Sequence, residues 1–418
     1  MERRGRLPLE DVTVVDLSWV IAGPHATELL VQLGANVIKV ESHRSPDLVR
    51  TAARRNEADD PLEEGGFGFQ LFNTGKKNIS INLKLEKGRE AFEDLVRKAD
   101  FVVCNYGTNA FKKLRLTYED LCGVKPDIIV VNASGMGFTG PYSQYVTYAP
   151  PLQAATGISS CVGYDGEADP YDDYPPLADY MGSLAIANHL LAALEYRRRT
   201  GKGQFIDLSQ CETAVTYLGT AILDHEINGR VHRLFGNHHY ANGAAPHNTY
   251  PCREPESWCA IAVASEEEWH RFCAVADPGG LWSNGQCFAS LEQRIAHQKE
   301  LDERVAAWTR QYTPIQAAEK LQAAGVSAAP VSRQLDFLYH DPQMQARKYF
   351  RQVDMPQTEH TTGTFLINGP VARFPEQPMP EHVEAGHALG QDTDEILSVL
   401  LGKPEQWIAE GKEEGAFY

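Results

Sequence analysis

Apolar, β-branched runs alternate with amphipathic stretches over the first half of the chain. Val12–Leu17 and Asn36–Val40 have the length and composition of buried strands. A helix is predicted between them, because Pro24 suits the first turn of a helix and Gly34 suits its end. The pattern therefore predicts a βαβ unit with two parallel strands.

The same alternation continues to about residue 209. It predicts, in chain order, a strand at Asn78–Leu83, a helix at Lys87–Lys98, a strand at Phe101–Asn105, a helix at Tyr118–Val124, a strand at Asp127–Ala133, a long helix at about Tyr180–Arg199, a strand at Gln204–Leu208 and a helix at Cys211–Asn228. Strands separated by helices predict an α/β fold with a doubly wound parallel sheet. Such sheets bind ligands at the carboxyl ends of their strands.

The pattern changes near Gly229. His247–Cys252 and Trp258–Val263 predict a hairpin, and the helical stretches that follow predict a smaller α+β domain with a last strand at Val326–Val331. We expect a large domain at 1–215, a linker helix at 216–245, a small domain at 246–332, a linker at 333–350 and a return segment of the large domain at 351–418.

Composition and charge limit the function classes. The chain has 418 residues, 43% apolar and 23% charged, which is typical of a globular protein with two domains. With 39 Lys and Arg against 56 Asp and Glu, the net charge of −17 argues against a general nucleic-acid binder. The first 120 residues carry 18 basic and 19 acidic side chains, so an anionic ligand is expected to dock there.

Several cofactors and compartments are not indicated. The eight cysteines contain no CxxC pair, which favours reduced core thiols in a cytoplasmic protein without disulfides. We expect no membrane span, since no apolar run approaches the ~20 residues that one requires. Motifs for dinucleotides, nucleoside triphosphates, α/β-hydrolases and zinc proteases are absent from the sequence.

A group of histidines is the one hint of a metal. Its members are His225, His232, His238, His239 and His247. They lack closely spaced carboxylate or cysteine partners, so the pattern favours surface or packing histidines, and we expect no metal site.

Asp179 is the most suggestive single residue. It lies between Pro175-Pro176 and a long apolar helix, where a carboxylate is favoured by the positive end of the helix. At a pocket it would stay ionised at neutral pH and could act as a nucleophile. The alternative is an aspartate that only caps the helix, and the segment by itself favours that alternative.

Basic residues follow the predicted strand ends in three groups: Lys39, Arg44, Arg50, Arg54 and Arg55; Lys76 and Lys77; and Lys112, Lys113 and Arg115. Ordinary solvated side chains explain each group about as well as a ligand does. Together they predict that a polyanion carrying an adenine lies along this edge of the sheet.

Three segments in order, Val14–Glu41, Phe72–Lys84 and Pro175–Ser209, resemble the family III CoA-transferases, the group of formyl-CoA and carnitine CoA-transferases. The resemblance extends over nearly the whole chain. It implies a doubly wound large domain built from both chain ends, a small domain, and two subunits threaded through each other as an interlocked dimer.

The resemblance also assigns site residues. It places the catalytic aspartate at Asp179, with acyl-CoA as substrate and neither a permanently bound cofactor nor a metal. Oxyanion donors are expected from the start of the helix at Tyr180 and from the loop Asn242-Gly243-Ala244. The CoA contacts it implies are Ile21, Ala22, Arg44, Asn73, Thr74, Gly75, Lys76, Asn105, Tyr106, Lys113 and Tyr148.

Departures from the family pattern keep alternatives open. The family segment NFRPG is Asn105–Asn109 (NYGTN) here, and the glycine-rich loop is only Asn242–Pro246, which permits either a homodimer or a heterodimer with a related subunit. An α-methylacyl-CoA racemase would need a histidine near Gln144–Tyr148, which reads QYVTY. A non-catalytic acyl-CoA-binding subunit is a further alternative. The small-domain segment Pro246–Val263 resembles family branches that handle dicarboxylic or carnitine-like acids. That resemblance implies succinyl-CoA as donor and a succinate-like acceptor such as benzylsuccinate.

Overall fold

The structure, a computed structural model, describes residues 7–52, 67–164, 176–231, 234, 236–239, 241–282, 286–354, 364–374 and 382–418. Its internal contacts form two compact units. The large unit comprises Met1–Ile158, Asp173–Gly219 and Ala346–Tyr418, and the small unit comprises Ser159–Asp172 and Thr220–Gln345. Residues 159–164, which the sequence assigned to the large domain, therefore group with the small unit.

A six-stranded sheet forms the centre of the large unit. Its strands are β1 (Thr13–Asp16), β2 (Asn36–Glu41), β3 (Lys77–Ser80), β4 (Phe101–Cys104), β5 (Ile129–Ser134) and β6 (Gln204–Ser209). They lie in the order β3-β2-β1-β4-β5-β6, and every neighbouring pair is parallel. The predicted parallel α/β sheet is confirmed, and its chain order reverses between β1 and β4.

Helices cover the sheet on both sides. In chain order they are α1 (Ala22–Gln32), α2 (Leu48–Ala52), α3 (Phe67–Asn73), α4 (Glu86–Lys98), α5 (Thr108–Lys113), α6 (Tyr118–Val124), α7 (Ala149–Thr156), α8 (Leu177–Thr200) and α9 (Gln210–Val215). Successive side chains of a strand point to opposite faces. In β1, Val14 therefore packs with α1 and α8, whereas Val15 packs with α4.

Helix α8 is long and apolar enough to cross a membrane by length and composition, and it is the one helix of the described residues that passes this test. Its Ile186, Leu190 and Leu194 are buried in the same cluster as Val14 of β1 and Leu30 of α1. Packing against the sheet therefore accounts for the hydrophobicity of α8.

The small unit is an α+β structure with its own core. Its sheet has the order β7-β8-β9, is antiparallel throughout, and contains the predicted hairpin. The core includes Trp269, Phe272 and Leu301. The elements are α10 (Gly219–Asn228), β7 (His247–Pro251), β8 (Trp258–Ala262), α11 (Glu266–Ala276), α12 (Leu291–Ala296), α13 (Gln298–Thr309), α14 (Pro314–Ala323), β9 (Ser327–Pro330) and α15 (Gln334–Tyr339), with 3₁₀ turns at Ser159–Cys161 and Gln286–Phe288. A further 3₁₀ turn, Thr216–Leu218, belongs to the large unit.

The C-terminal part of the chain packs on the first part of the large unit. It contains α16 (Pro342–Arg347), β10 (Phe350–Asp354), β11 (Thr364–Asn368), β12 (His382–Glu384), α17 (Thr393–Glu395), a π-helical turn (Ile396–Leu400) and α18 (Glu405–Glu413), with a small sheet in the order β11-β10-β12. Gln70 of α3 exchanges two hydrogen bonds with the backbone of Gly386. The Asp392 carboxylate accepts from the backbone N–H of Asn78 at 2.6 Å.

Helix boundaries differ from the sequence prediction in two places that matter for the site. Helix α8 begins at Leu177 rather than near Tyr180. The helix predicted over 211–228 is divided into α9, a 3₁₀ turn and α10. Hydroxyls of Thr213 and Thr216 donate to carbonyls of the preceding turn, an interaction that bends helices.

Candidate active site

Two loops meet where β1 and β4 end. The backbone N–H of Trp19 donates to Asn105 Oδ1 at 2.8 Å, and Asn105 Nδ2 donates to the Trp19 carbonyl at 2.7 Å. The ring of Tyr106 packs edge-on against Trp19, with 6.0 Å between centroids. These contacts bring Asn105 and Tyr106 close to the start of α1, where Ile21 and Ala22 lie.

The backbone turns sharply between β1 and α1. Val20 has a φ of +68°, a left-handed conformation that is rare for a β-branched residue, and its N–H donates to Asp47 Oδ1 at 3.1 Å. A side chain at Gly23 would meet Ser18 Cβ at 2.2 Å, so only glycine fits there. This turn fixes where α1 begins.

A buried ion pair lies behind the first turn of α1. The Lys76 ammonium contacts Asp16 Oδ2 at 3.0 Å, the Pro24 carbonyl at 2.8 Å and Asn73 Oδ1 at 3.0 Å. Burial alone would raise the pKa of Asp16, but Lys76 and Lys39 hold it at about 2. Burial lowers the pKa of Lys76 to about 8 although Asp16 opposes this. The pair is therefore charged at neutral pH.

This pair limits how the Lys76 side chain could contact CoA. An ammonium has three N–H donors, and Lys76 donates all three to protein acceptors. Its side chain is only 1% exposed. It has no donor left for a phosphate. A contact between CoA and this loop, which stays a prediction, would have to use other atoms.

Two more of the predicted anion-binding cations are neutralised inside the protein. Lys39 lies within β2 and pairs with Asp47 at 2.9 Å, and Arg50 pairs with Glu41 at 2.7 Å. Both pairs are almost fully buried because Asp47 and Arg50 fold back over β2. Arg54 and Arg55 lie outside the described residues. Local charge counts therefore overstate the cations available to a ligand.

The remaining predicted CoA contacts fall into two groups. Asn73 and Thr74 are buried and donate to carbonyls of α3, while the N–H of Gly75 donates to the Glu384 carbonyl. Arg44, Lys113 and Tyr148 are exposed. Among the described residues, no hydrogen bond or ion pair is found between these three side chains and the loops at the start of α1.

Asp179 lies in the first turn of α8. Pro176 occupies the N-cap position, so the alternative of an aspartate that caps the helix is wrong. Within the described part of the chain, no hydrogen bond or ion pair to its carboxylate is found. Burial raises the pKa of Asp179 to about 6, which outweighs the stabilisation of the carboxylate by the helix dipole.

The N–H groups expected to stabilise an oxyanion are largely occupied. At the start of α8, the N–H groups of Asp179 and Tyr180 donate to the Pro176 carbonyl. In the loop of the small unit, Asn242 N donates to the His239 carbonyl and Gly243 N donates to His239 Nδ1 at 3.0 Å. Ala244 is buried.

The histidines of the small unit bond to protein groups. His238 Nε2 lies 2.8 Å from Asp302, and the Nδ1 atoms of His225 and His247 lie 3.1 and 2.7 Å from backbone carbonyls. His232 lies outside the described residues. Among the residues described, no group of three His, Cys, Asp or Glu could hold a metal ion.

Sequence reasoning missed a polar contact beside Asp179. His25 Nδ1 lies 2.7 Å from Ser183 Oγ, and its ring packs edge-on against Tyr180 at 5.2 Å and Phe72 at 5.9 Å. His25 stands in the first turn after β1, at the carboxyl end of the sheet. Because parallel sheets bind ligands at this end, the position of His25 in the sequence could have marked it as a candidate site residue.

Comparisons with known proteins agree with this fold. The profile described as CoA-transferase family III matches residues 9–393. A crystal structure of a CAIB/BAIF family protein from Brucella suis is 27% identical, with a TM-score of 0.83 over 95% of this chain and 100% of that chain.

Two curated relatives are similar over most of this chain. The probable CoA-transferase Rv1866 of Mycobacterium tuberculosis is 31% identical over 96% of this chain, which spans about half (49%) of that relative's length. The succinyl-CoA–D-citramalate CoA-transferase of Chloroflexus aurantiacus is 29% identical over 96% of both chains. The family profile covers far more than half of the sequence, and the chain therefore belongs to CoA-transferase family III.

Proposed function

We propose that this protein transfers CoA from an acyl-CoA donor to a free carboxylic acid, with Asp179 as the nucleophile. The observation that carries the proposal is a half-buried carboxylate in the first turn of α8 that has no partner among the described residues, in a chain of CoA-transferase family III. Contacts between α1 and α8 place this turn beside the loops at the carboxyl end of the sheet, where parallel α/β folds bind ligands.

The environment of Asp179 suits nucleophilic catalysis. With a pKa of about 6, the carboxylate is still the main form at pH 7, by about ten to one. Burial removes water that would otherwise shield the carboxylate, and a more basic oxygen is the stronger nucleophile. The group is therefore both ionised and reactive at neutral pH.

The reaction follows from this nucleophile. The Asp179 carboxylate attacks the thioester carbon, the C–S bond breaks, and CoA thiolate leaves a mixed acyl–aspartyl anhydride. The thiolate then attacks the aspartyl carbonyl, which releases the donor acid and forms an aspartyl-CoA thioester. The acceptor carboxylate repeats both steps in reverse order, and Asp179 returns as a free carboxylate. Every intermediate is an activated acyl species, so the exchange consumes no ATP.

The substrates that fit the relatives best are dicarboxylic. We propose succinyl-CoA as the donor and a small dicarboxylic acid as the acceptor. The name of the Chloroflexus relative supports this choice, since succinyl-CoA and D-citramalate are its substrates by name. A panel of mono- and dicarboxylic acceptors with succinyl-CoA, acetyl-CoA and formyl-CoA tests it, and turnover confined to monocarboxylates would reject the dicarboxylate.

The functional assembly that we propose is a dimer. Helix α10 has no buried residue and exposes Ile222, Leu223 and Ile227. An apolar helix face of this kind is typical of a surface covered by another subunit. Light scattering of the purified chain tests the proposal: a stable, active monomer would contradict it, and activity only with a related chain would favour the heterodimer.

Trapping the covalent intermediate tests the nucleophile. We expect succinyl-CoA followed by hydroxylamine to convert Asp179 to a hydroxamate, detected by peptide mass spectrometry. Asp179→Asn removes the nucleophilic oxygen, so it should lose both the label and turnover. Glu195→Gln is the matched control, because Glu195 lies on the same helix and is exposed. An Asp179→Asn variant with normal turnover would contradict the proposal.

A further inference from the structure

Helices α1 and α8 are joined at their N-terminal ends by one side-chain hydrogen bond. His25 of α1 lies 2.7 Å from the hydroxyl of Ser183 of α8, and that hydroxyl donates to the Tyr180 carbonyl at 2.7 Å. Ser183 is fully buried. His25 is half-buried, so the bond is partly shielded from water.

The direction of this bond follows from the number of protons. A serine hydroxyl has one proton, and Ser183 gives it to the Tyr180 carbonyl. His25 must then donate through Nδ1–H, which leaves a lone pair on Nε2. Burial, together with the nearby charge of Lys76, lowers the pKa of His25 to about 4, so the ring is neutral at pH 7.

The same face of α8 carries Asp179. Residues four apart lie one above the other on a helix, so Asp179 stands one turn before Ser183 on the side that faces α1. The carbonyl that Ser183 holds belongs to Tyr180, the next residue after Asp179. A bond from His25 to Ser183 therefore restrains the turn that carries the carboxylate.

His25 is itself held in place. It stands in the first turn of α1, where the carbonyl of its neighbour Pro24 accepts from the buried Lys76 ammonium at 2.8 Å. Phe72 and Tyr180 pack edge-on against two sides of its ring. The ring thus connects a rigid charged core to the first turn of α8.

We propose that His25 is a positioning residue for the Asp179 nucleophile, acting through Ser183. This rests on the proposed function. Among the described residues the Asp179 carboxylate has no partner of its own, so within that part of the chain the orientation of its helix turn sets its direction. Helix packing alone fixes a turn less tightly than a directional bond does, and misplacing a reacting group by about 1 Å costs on the order of a hundredfold in rate.

Four variants separate positioning from general packing. His25→Phe keeps an aromatic ring and removes the donor, Ser183→Ala removes the hydroxyl, and the double variant removes both. His25→Asn restores a donor at about the place of Nδ1. His189→Phe is the matched control, because His189 lies on α8, is exposed and bonds to the Ala185 carbonyl one turn earlier on the same helix.

The assay is steady-state exchange of CoA between succinyl-CoA and labelled succinate. We expect His25→Phe and Ser183→Ala each to lower kcat by about ten- to a hundredfold, with KM for succinyl-CoA changed less than about threefold. The double variant should be no slower than the slower single variant, because both remove one interaction. His25→Asn should recover part of kcat, and His189→Phe should match the unaltered protein.

A measurement that needs no substrate completes the test. The ring ¹⁵N shifts of His25, assigned by their loss in His25→Asn, should show a neutral ring protonated at Nδ1 down to about pH 5. An unchanged kcat in His25→Phe, multiplicative losses in the double variant, or a ring protonated at Nε2 would each overturn the proposal. Failure of the proposed function looks different, since Asp179→Asn would then retain turnover.

Discussion

Two adjacent lysines offer a sharp test of the buried charge cluster. Lys76 is buried and pairs with Asp16, whereas Lys77 is 41% exposed and pairs with Glu395 at 2.7 Å. Lys76→Met would leave the Asp16 carboxylate buried without its cation. Removing one partner of a buried pair costs about 3–5 kcal/mol, whereas an exposed pair contributes about 0–1 kcal/mol.

The expected difference is large compared with total stability. Domains are stable by about 5–15 kcal/mol, so Lys76→Met should remove a large fraction of the free energy of unfolding. Lys77→Met should change it by less than about 1 kcal/mol. Adding Asp16→Asn to Lys76→Met should recover part of the loss, because the uncompensated charge is then removed.

Urea unfolding at pH 7, with hydrogen exchange of the β1 amides, measures these effects. Hydrogen exchange reports on the sheet even if the two units unfold separately. The reasoning would be refuted if Lys76→Met and Lys77→Met lost the same stability, or if the second substitution at Asp16 made the loss larger.

Four further predictions concern single groups. Because Asp179 must be ionised to attack, kcat/KM should fall about tenfold per pH unit below pH 6, and a flat profile down to pH 5 would contradict this. In the folded protein the pKa of Asp179 is raised from 3.8 to about 6, so the ionised carboxylate destabilises the fold at higher pH. Urea unfolding should therefore show that Asp179→Asn raises the free energy of unfolding by about 1–3 kcal/mol at pH 7 and leaves it unchanged below pH 3.8. A hydrogen bond to Asp392 at 2.6 Å raises the pKa of His387, although burial alone would lower it. Protonated His387 should therefore stabilise the fold fully below pH 6.5, and this contribution to the free energy of unfolding should disappear as pH rises through the folded pKa. His387→Gln should abolish this pH dependence. Gly23→Ala should lower Tm, because its Cβ would lie 2.2 Å from Ser18 Cβ, and an unchanged Tm would show that the turn can open.

The sheet could be predicted because its signal is local. Buried parallel strands are continuous apolar runs, which a short window of sequence reveals. The bounds predicted for the helix α6 (Tyr118–Val124) are also those observed. The start of α8 was placed three residues late, since Pro176 tolerates an N-cap position and the sequence does not state which residue after it begins the helix. That shift decides whether Asp179 caps the helix or lies within it.

The environment of the charged residues could not be predicted from local pattern. Lys76 and Lys77 are adjacent residues of the same type, but successive side chains point in different directions, so one is buried and the other is exposed. The partner of the buried Lys76 is Asp16, which lies 60 residues earlier in the chain. His25 was passed over for a related reason: its partner Ser183 is 158 residues away. Only the fold brings these pairs together.

The hydrogen bonds between the first and last parts of the chain have a consequence for biosynthesis. Arg50, Gln70 and Asn78 bond to partners that lie 337, 316 and 314 residues later. While the polypeptide emerges from the ribosome, these bonds cannot form until the C-terminal part of the large unit has been translated. The large unit can therefore complete its fold only after nearly the whole chain has been synthesised, although most of its sheet is encoded in the first half.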